Sequence, residues 1–383
     1  MKLSENFSFG NPTRIVFGNG KVAELGSILS ASRICLVTSA GFTKRGMTQR
    51  LRAMFGDRLL YVVDTIDPNP DLDRLDDIIR NVRAAKPDVI LAVGGGSAMD
   101  SGKVIAKAIN APDGWTLAAH FRDGHKVHDN APLPCYVVPT TSGTGAEVTP
   151  FATVWDETTN TKYSLANADM FPVAAILDPE LTLDMPREVT LSTGLDAISQ
   201  ALESVWNRSC NAITFGWAIS SLRLSLSALA KVANTPDDLQ ARSDMAQASL
   251  LAGLCISHTR TALAHSMSYP ITAHYGLPHG FACSFTLPAL FDFNIEVDDG
   301  RLDVLAKALE YRDANQLKTV VAQLLKDVDI GSYFTKYVKN PSDILLHVPE
   351  MITPNRSGNN MRDVDFHDIE RIVHNTLEAY ITV

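Results

Sequence analysis

Residues 88–109 read DVILAVGGGSAMDSGKVIAKAI, and this stretch decides the fold. Asp88–Val93 is a continuous apolar run, as in strands of a parallel sheet covered on both faces. Gly94-Gly95-Gly96-Ser97 then turns the chain, and an amphipathic helix is expected from there through Ile109. Glycines at such a turn let the backbone come close to a ligand. The N-terminus of the following helix offers free N–H groups and the positive end of a dipole, which suits a pyrophosphate. The same residues would also make an ordinary tight turn. The spacing is not GxGxxG, so the usual dinucleotide fingerprint does not transfer directly.

Similar punctuation extends to both sides. Ile34–Thr38, Leu59–Val63 and Cys135–Val138 read as further strands. Asp71–Ala85 has helical periodicity, with Leu72, Leu75, Ile78, Ile79 and Val82 apolar. This alternation predicts an α/β domain with a doubly wound, largely parallel sheet. A second small-polar loop, Pro139–Glu147 (PTTSGTGAE), follows the Cys135–Val138 strand. It reads either as an irregular surface loop or, with the glycine turn, as one wall of a ligand crevice at the carboxyl ends of the strands.

From about Asp184 the texture changes to long helical stretches: Thr193–Trp206, Ala212–Val232, Leu239–Ser257, Arg301–Leu309 and Phe366–Tyr380. Pro179 and Pro186 punctuate the transition. The 383 residues suit two domains, and we expect 1–183 to be α/β and 184–383 all helical.

Bulk properties narrow the function. A formal net charge of -9 without a basic cluster argues against nucleic acid and anionic membranes as partners. No apolar run reaches the length of a membrane span. The N-terminal sequence lacks the pattern of a secretory signal. Cys35, Cys135, Cys210, Cys255 and Cys283 are scattered and odd in number, which reads as buried or free thiols in the cytoplasm.

Four of the ten histidines, His258, His265, His274 and His279, crowd into one short segment, where even scatter would put fewer than one. Each alone could be structural; together they suggest a metal or proton-transfer site. Upstream, Asp196 and Gln200 stand four apart and share a helix face. Asp196 is either an N-terminal cap or a buried carboxylate in need of a partner.

These segments together resemble a known family. GGGSAMDSGK, PTTSGTGAEVT, DPELTLDMP, TGLDA and HSMSYPITAHYGLPHG occur in the order and spacing of the iron-containing (group III) alcohol dehydrogenases, over essentially the whole chain. The resemblance implies the dehydroquinate synthase-like architecture, in which an NAD(P)-binding α/β domain precedes a helical metal- and substrate-binding domain. It implies a divalent metal, usually Fe²⁺ and sometimes Zn²⁺, held by one Asp and three His, and it implies a homodimer. By motif position the ligands are Asp196, His265 and His279, and the remaining His position is occupied by Gln200, a weaker neutral donor. Where many members carry a proton-relaying His, this chain has Tyr269, so Tyr269 and His274 are the expected proton donors. Ser39, Asn69, Gly95, Gly96, Ser97, Asp100, Thr140, Thr141, Thr149 and Lys162 match positions near the cofactor. Ser39 stands where an acidic residue would favour NAD, which permits NADP(H) and slightly favours it.

The segments around ALESVWN and TRTALAHSMSYPITAHYGLPHG look most like the branch that includes the phosphonoacetaldehyde reductases. That implies an aldehyde substrate, with an anionic phosphonate as one form, and a cation to meet it. Arg208 and Arg260 are the candidates by proximity in sequence, although each reads more readily as a surface charge or structural ion pair. A general short-chain alcohol dehydrogenase is the alternative within the family. Outside it stand a lyase of the dehydroquinate synthase kind and a binding protein whose metal site decayed at Gln200.

Overall fold

The computed structural model describes residues 1–159 and 161–381. It divides into two compact units. One comprises Gly10–Thr141 and Ala146–Thr182. The other comprises Met1–Phe9, Ser142–Gly145 and the chain from Leu183 onward.

The first unit contains β1 (Arg14–Phe17), β2 (Ile34–Val37), β3 (Leu59–Val63), β4 (Val89–Gly94), β5 (Cys135–Pro139), β6 (Phe151–Asp156), β7 (Thr161–Ala166) and β8 (Ala174–Leu177). Six of them form one parallel sheet in the order β1-β8-β5-β4-β2-β3, and β6 pairs antiparallel with β7. β2 and β4 are neighbours, and the chain leaves them in opposite directions, toward β3 on one side and β5 on the other. This is a topological switch point, where the loops at the carboxyl ends of adjacent strands diverge and leave a crevice. All six residues of β4 are buried, as its unbroken apolar run requires.

The helix after β4, α1 (Gly96–Ala108), departs from expectation. It is buried almost all round rather than amphipathic. It packs on β4 and β5 with one face and against β6 with another. Its two lysines are buried and therefore need partners. Lys103 Nζ reaches Asp100 Oδ1 at 2.9 Å, the Ala146 carbonyl at 3.0 Å and Thr149 Oγ1 at 3.2 Å. Lys107 Nζ reaches Asp169 Oδ2 at 2.6 Å.

The second unit is helical around one large apolar core. Its centre is built from α2 (Arg187–Val205), α3 (Ala212–Asn234), α4 (Leu239–Thr259), α5 (Leu263–Tyr275) and α6 (His279–Ser284). α2 begins at Arg187, directly after Pro186 and a turn and a half ahead of the expected start. Its last carbonyls are met by a buried cation: Arg301 donates to the Val205 and Asn207 carbonyls at 3.2 and 3.0 Å. Contrary to the reading that no span-length apolar run exists, α3 is long and apolar enough to cross a membrane by length and composition. Here it is a core helix. Phe215, Ala218, Leu222, Ser225, Leu229 and Val232 recur at helical spacing and are buried.

Two glycine segments lock this unit. Gly145 has φ of +63°, and a Cβ there would stand 2.3 Å from the Gly253 Cα. Residues 142–145 therefore lie flat on α4, which is why they group with the helices although they sit in the middle of the α/β sequence. A Cβ on Gly280 would stand 1.6 Å from the Ser192 carbonyl oxygen. Only glycine lets α6 dock on α2 this closely, and His279 is the adjacent residue.

Candidate active site

Three helices of the second unit each present a pair of residues four apart, hence on one face: Asp196 and Gln200 on α2, His265 and Tyr269 on α5, His279 and Cys283 on α6. They converge. One donor atom each from Asp196, His265, His279 and Cys283 lies within 4.8 Å of all the others. His265 Nε2 stands 3.2 Å from Asp196 Oδ1, and Cys283 Sγ stands 3.7 Å from the same oxygen. The rings of His265 and His279 meet edge to face at 5.1 Å.

The imidazoles are oriented from behind. Glu203, fully buried, accepts the His265 backbone N–H at 3.0 Å through Oε1 and contacts His265 Nδ1 at 2.5 Å through Oε2. Glu203 follows Asp196 by seven residues, about two turns, so both carboxylates face the same way. This fixes Nε2 as the ring atom turned toward Asp196. Ser268 Oγ donates to the His265 carbonyl at 2.8 Å and lies 3.4 Å from His279 Nδ1. Burial pulls the His265 imidazolium down, but the Glu203 and Asp196 carboxylates outweigh it and push its pKa up to about 9. Burial, aided by the Asp196 charge, pushes the Cys283 thiol well above its ordinary value.

The donor set suits a divalent metal: a carboxylate, two imidazoles and a sulfur, all buried or nearly so. Gln200 adds an independent sign. It is 2% exposed and its Oε1 has no hydrogen-bond partner, an unsatisfied acceptor of the kind that a ligand or ion normally satisfies.

The other two clustered histidines go elsewhere. His258 stacks on Phe9 at 3.7 Å and meets Ser257 Oγ. His274 follows His265 by nine residues, a rotation of about 180° on a helix, and emerges on the opposite face. Its Nε2 meets Glu350 at 2.8 Å, and its ring stacks on His347 at 4.0 Å. The structure thus separates His274 from the Asp196 group, against its expected role beside Tyr269.

Tyr269 stays with the group. Its ring stacks on His279 at 5.8 Å, and the Arg356 guanidinium lies over it, 4.7 Å from the ring centre. Burial pushes the Tyr269 hydroxyl up, while Arg356 pulls it down by charge and hydrogen bonding. Burial lowers the Arg260 guanidinium, and the nearby Arg356 charge lowers it further. Arg356 thus lies beside Tyr269, close enough for its charge to act on Arg260 as well. Arg260 was legible from its place in the sequence; Arg356, almost a hundred residues on, was not. Arg208 instead forms an exposed ion pair with Asp363.

In the α/β unit the expected cofactor residues fall into two sets. Gly95, Gly96 and Ser97 open α1, whose N-terminus has no capping side chain. Thr140 follows on the adjacent strand, its N–H donating to the Gly94 carbonyl at 2.9 Å. A Cβ on Gly95 would crowd the Thr141 side chain at 3.3 Å, and Thr141 Oγ1 is buried without a partner. Ser39 stands at the start of the helix after β2, its side chain making no capping bond, and β2 runs beside β4. These residues follow the carboxyl ends of neighbouring strands at the switch point. Asp100 and Thr149 are tied instead to Lys103, and Asp100 also accepts the Thr153 N–H at 2.8 Å. Asn69 holds a left-handed φ of 57°, just before the segment that pairs with Trp155, and Lys162 lies over the Trp155 ring.

An α/β unit with a topological switch point and a helical unit with a buried donor cluster fit a two-unit oxidoreductase of the dehydrogenase type. Comparison with known proteins narrows the class. Residues 12–179 match the family described as iron-containing alcohol dehydrogenase, and residues 190–377 match the C-terminal domain of the Fe-containing alcohol dehydrogenase family. The chain is 34% identical over 281 residues to phosphonoacetaldehyde reductase from Streptomyces viridochromogenes, covering 72% of this chain and 70% of that protein. It is 31% identical over 295 residues to the aldehyde-alcohol dehydrogenase of Streptococcus pneumoniae, covering 74% of this chain but only 33% of that longer protein. Among solved structures, sulfoacetaldehyde reductase from Bifidobacterium kashiwanohense in complex with NAD+ superposes with a TM-score of 0.89 at 28% identity, over 97% of this chain and 99% of that one. The chain belongs to the iron-containing alcohol dehydrogenase family and is an oxidoreductase acting on alcohols or aldehydes. A nicotinamide cofactor and a metal go with that membership.

Proposed function

We propose that this protein is a reductase of small anionic aldehydes, with phosphonoacetaldehyde, reduced to 2-hydroxyethylphosphonate, as the first substrate to test. The observation that carries the reading is the Arg356 guanidinium over the ring of Tyr269, which in turn stacks on His279. A guanidinium suits phosphonate or sulfonate geometry. Two relatives are named for aldehydes that carry such groups.

In this reading the α/β unit binds NAD(P)H. The uncapped N-terminus of α1 takes the pyrophosphate, with Gly95, Gly96, Ser97, Thr140 and Thr141 around it. Ser39 offers no carboxylate against a 2′-phosphate, which supports NADPH alongside NADH. In the helical unit Asp196, His265 and His279 would hold the metal, which when bound supplies Lewis acidity toward a carbonyl oxygen. Glu203 keeps His265 turned inward. Arg356 would fix the anionic end of the substrate, with the carbonyl end toward His279. Tyr269 is the proton-holding group nearest that end, its hydroxyl kept protonated by burial. The five buried, unpaired cysteines support a cytoplasmic setting.

Steady-state kinetics with phosphonoacetaldehyde, sulfoacetaldehyde and propanal test the reading. The anionic aldehydes should win in kcat/KM. Arg356→Ala should raise their KM about 10- to 100-fold, as loss of a charged hydrogen bond implies, and leave propanal nearly unchanged. Equal or better turnover of propanal by the wild type would replace this reading with a general short-chain alcohol dehydrogenase.

A further inference from the structure

We propose that Cys283 is a direct metal ligand in this chain, completing an Asp-His-His-Cys site through its thiolate. The proposal rests on the reading above that Asp196, His265 and His279 hold a metal.

Of the three helix positions one turn beyond a ligand, Gln200 offers only a neutral amide oxygen, a weak donor for a first-row metal. Tyr269 is engaged by its stack on His279 and by Arg356. Cys283 is the third, and it is fully buried with Sγ facing Asp196 Oδ1. Its helix also carries His279, so one short helix would contribute both an imidazole and a sulfur. The four donors lie within 4.8 Å of one another. A tetrahedral ion with bonds of about 2.0–2.3 Å needs donor separations of about 3.3–3.8 Å, a small contraction of what is already there.

The chemistry balances simply. As the metal–sulfur bond forms, the S–H bond breaks and its proton leaves to solvent; nothing is oxidised or reduced. A thiolate in the set shifts preference toward the softer Zn²⁺ and away from Fe²⁺, compared with a site of only nitrogen and oxygen donors. The competing role for Cys283 is packing, with its S–H donating to the Gly280 carbonyl at 3.5 Å. Serine preserves that hydrogen bond and most of the volume, so Cys283→Ser separates the two roles.

The test is anaerobic titration of the metal-stripped full-length protein with Co²⁺, followed by absorption spectroscopy. One equivalent should bind, giving visible d–d bands together with an intense near-ultraviolet thiolate-to-cobalt band. Cys283→Ser should keep the d–d bands, lose the charge-transfer band and bind Co²⁺ about tenfold or more weakly; Cys255→Ser should keep both. In competition, Cys283→Ser should move the Zn²⁺-over-Fe²⁺ preference about tenfold toward iron. A wild-type spectrum with d–d bands but no charge-transfer band overturns the sulfur ligand and leaves the metal reading standing. A charge-transfer band that survives in Cys283→Ser does the same. Absence of any Co²⁺ binding by the wild type overturns both. The wild-type spectrum alone can sink the proposal, so it stays testable if the serine variant does not fold.

Discussion

His265 and His274 stand on one helix, nine residues apart, and each meets a glutamate, yet the two clusters they enter differ in kind. His265 lies inside the unit with Asp196, His279, Cys283 and Glu203, all but His279 fully buried. His274 lies at the surface with His347 and Glu350, whose donor atoms are equally close, within 4.8 Å. Proximity of metal-ligating side chains is therefore the same in both places. Environment separates them. In the buried cluster every polar atom must find a partner, and the imidazole is held by carboxylates on both sides. In the exposed cluster Glu350 is about half solvated, and water can replace any of its contacts.

The largest expected effect tests this contrast directly. His265→Ala should reduce bound metal to less than about a tenth of an equivalent and aldehyde reduction by about a thousandfold or more, since the Lewis acid is worth several kcal/mol. His347→Ala should change both by less than about twofold, as a surface substitution. Metal analysis alongside NAD(P)H oxidation checks the pair. Metal lost from His347→Ala and kept by His265→Ala would reverse the assignment of the two clusters.

A smaller effect belongs to Glu203. Among the described residues its side-chain hydrogen bonds go to His265, so Glu203→Gln leaves every proposed ligand in place but loosens the ring it orients. Metal affinity should fall about 10- to 100-fold, read by competition with a chromophoric chelator. An unchanged affinity would mean that packing alone aims His265, and that the carboxylate behind it is a structural partner only.

The contrast also explains what was legible beforehand. The strand and glycine turn at 88–97 are written in local composition, and the parallel sheet follows from them. His265 and His279 drew notice through density and through motif order. Glu203 and Cys283 carry no such signal. A glutamate late in a helix reads as a solvated position, and a single cysteine reads as a small core residue. Only the docking of α2, α5 and α6, enforced at Gly280, gives them partners. His274 misled for the opposite reason, because sequence proximity hides the half-turn that sends it outward. The attachment of Ser142–Gly145 to the helical unit was also invisible, since it depends on backbone contact with Gly253.

A third carboxylate sharpens the comparison. Glu147, in the α/β unit, is 2% exposed, and Lys103 pulls on its charge. Unlike Glu203, it has no imidazole against it among the described contacts. Burial pushes its pKa from 4.5 up to about 7. Below pH 4.5 it is protonated in folded and unfolded chains alike and favours neither. Between pH 4.5 and 7 the unfolded chain ionises first, so stability falls across that window and stays lowered above it. Glu147→Gln should therefore stabilise the protein by roughly 2–3 kcal/mol at pH 8 and have almost no effect near pH 4.5, seen as a Tm difference that grows with pH. A difference that is constant with pH would point to packing, not ionisation.

The smallest effect returns to the exposed cluster. Burial raises the Glu350 pKa, but its hydrogen bonds to His274 and His347 outweigh that and hold it below the ordinary 4.5. A carboxylate lowered in this way adds stability above its unfolded value, and the addition disappears as pH falls through the lower folded value. With the side chain 52% exposed, solvent and salt screen most of the gain. Glu350→Gln should cost about 0.5 kcal/mol or less at pH 7 in low salt, with the cost vanishing in molar salt and shrinking below pH 4.5. Urea unfolding at two salt concentrations measures it. A loss above about 2 kcal/mol that resists salt would show that His274, His347 and Glu350 behave as a desolvated network, and solvation would then no longer separate the two clusters on α5.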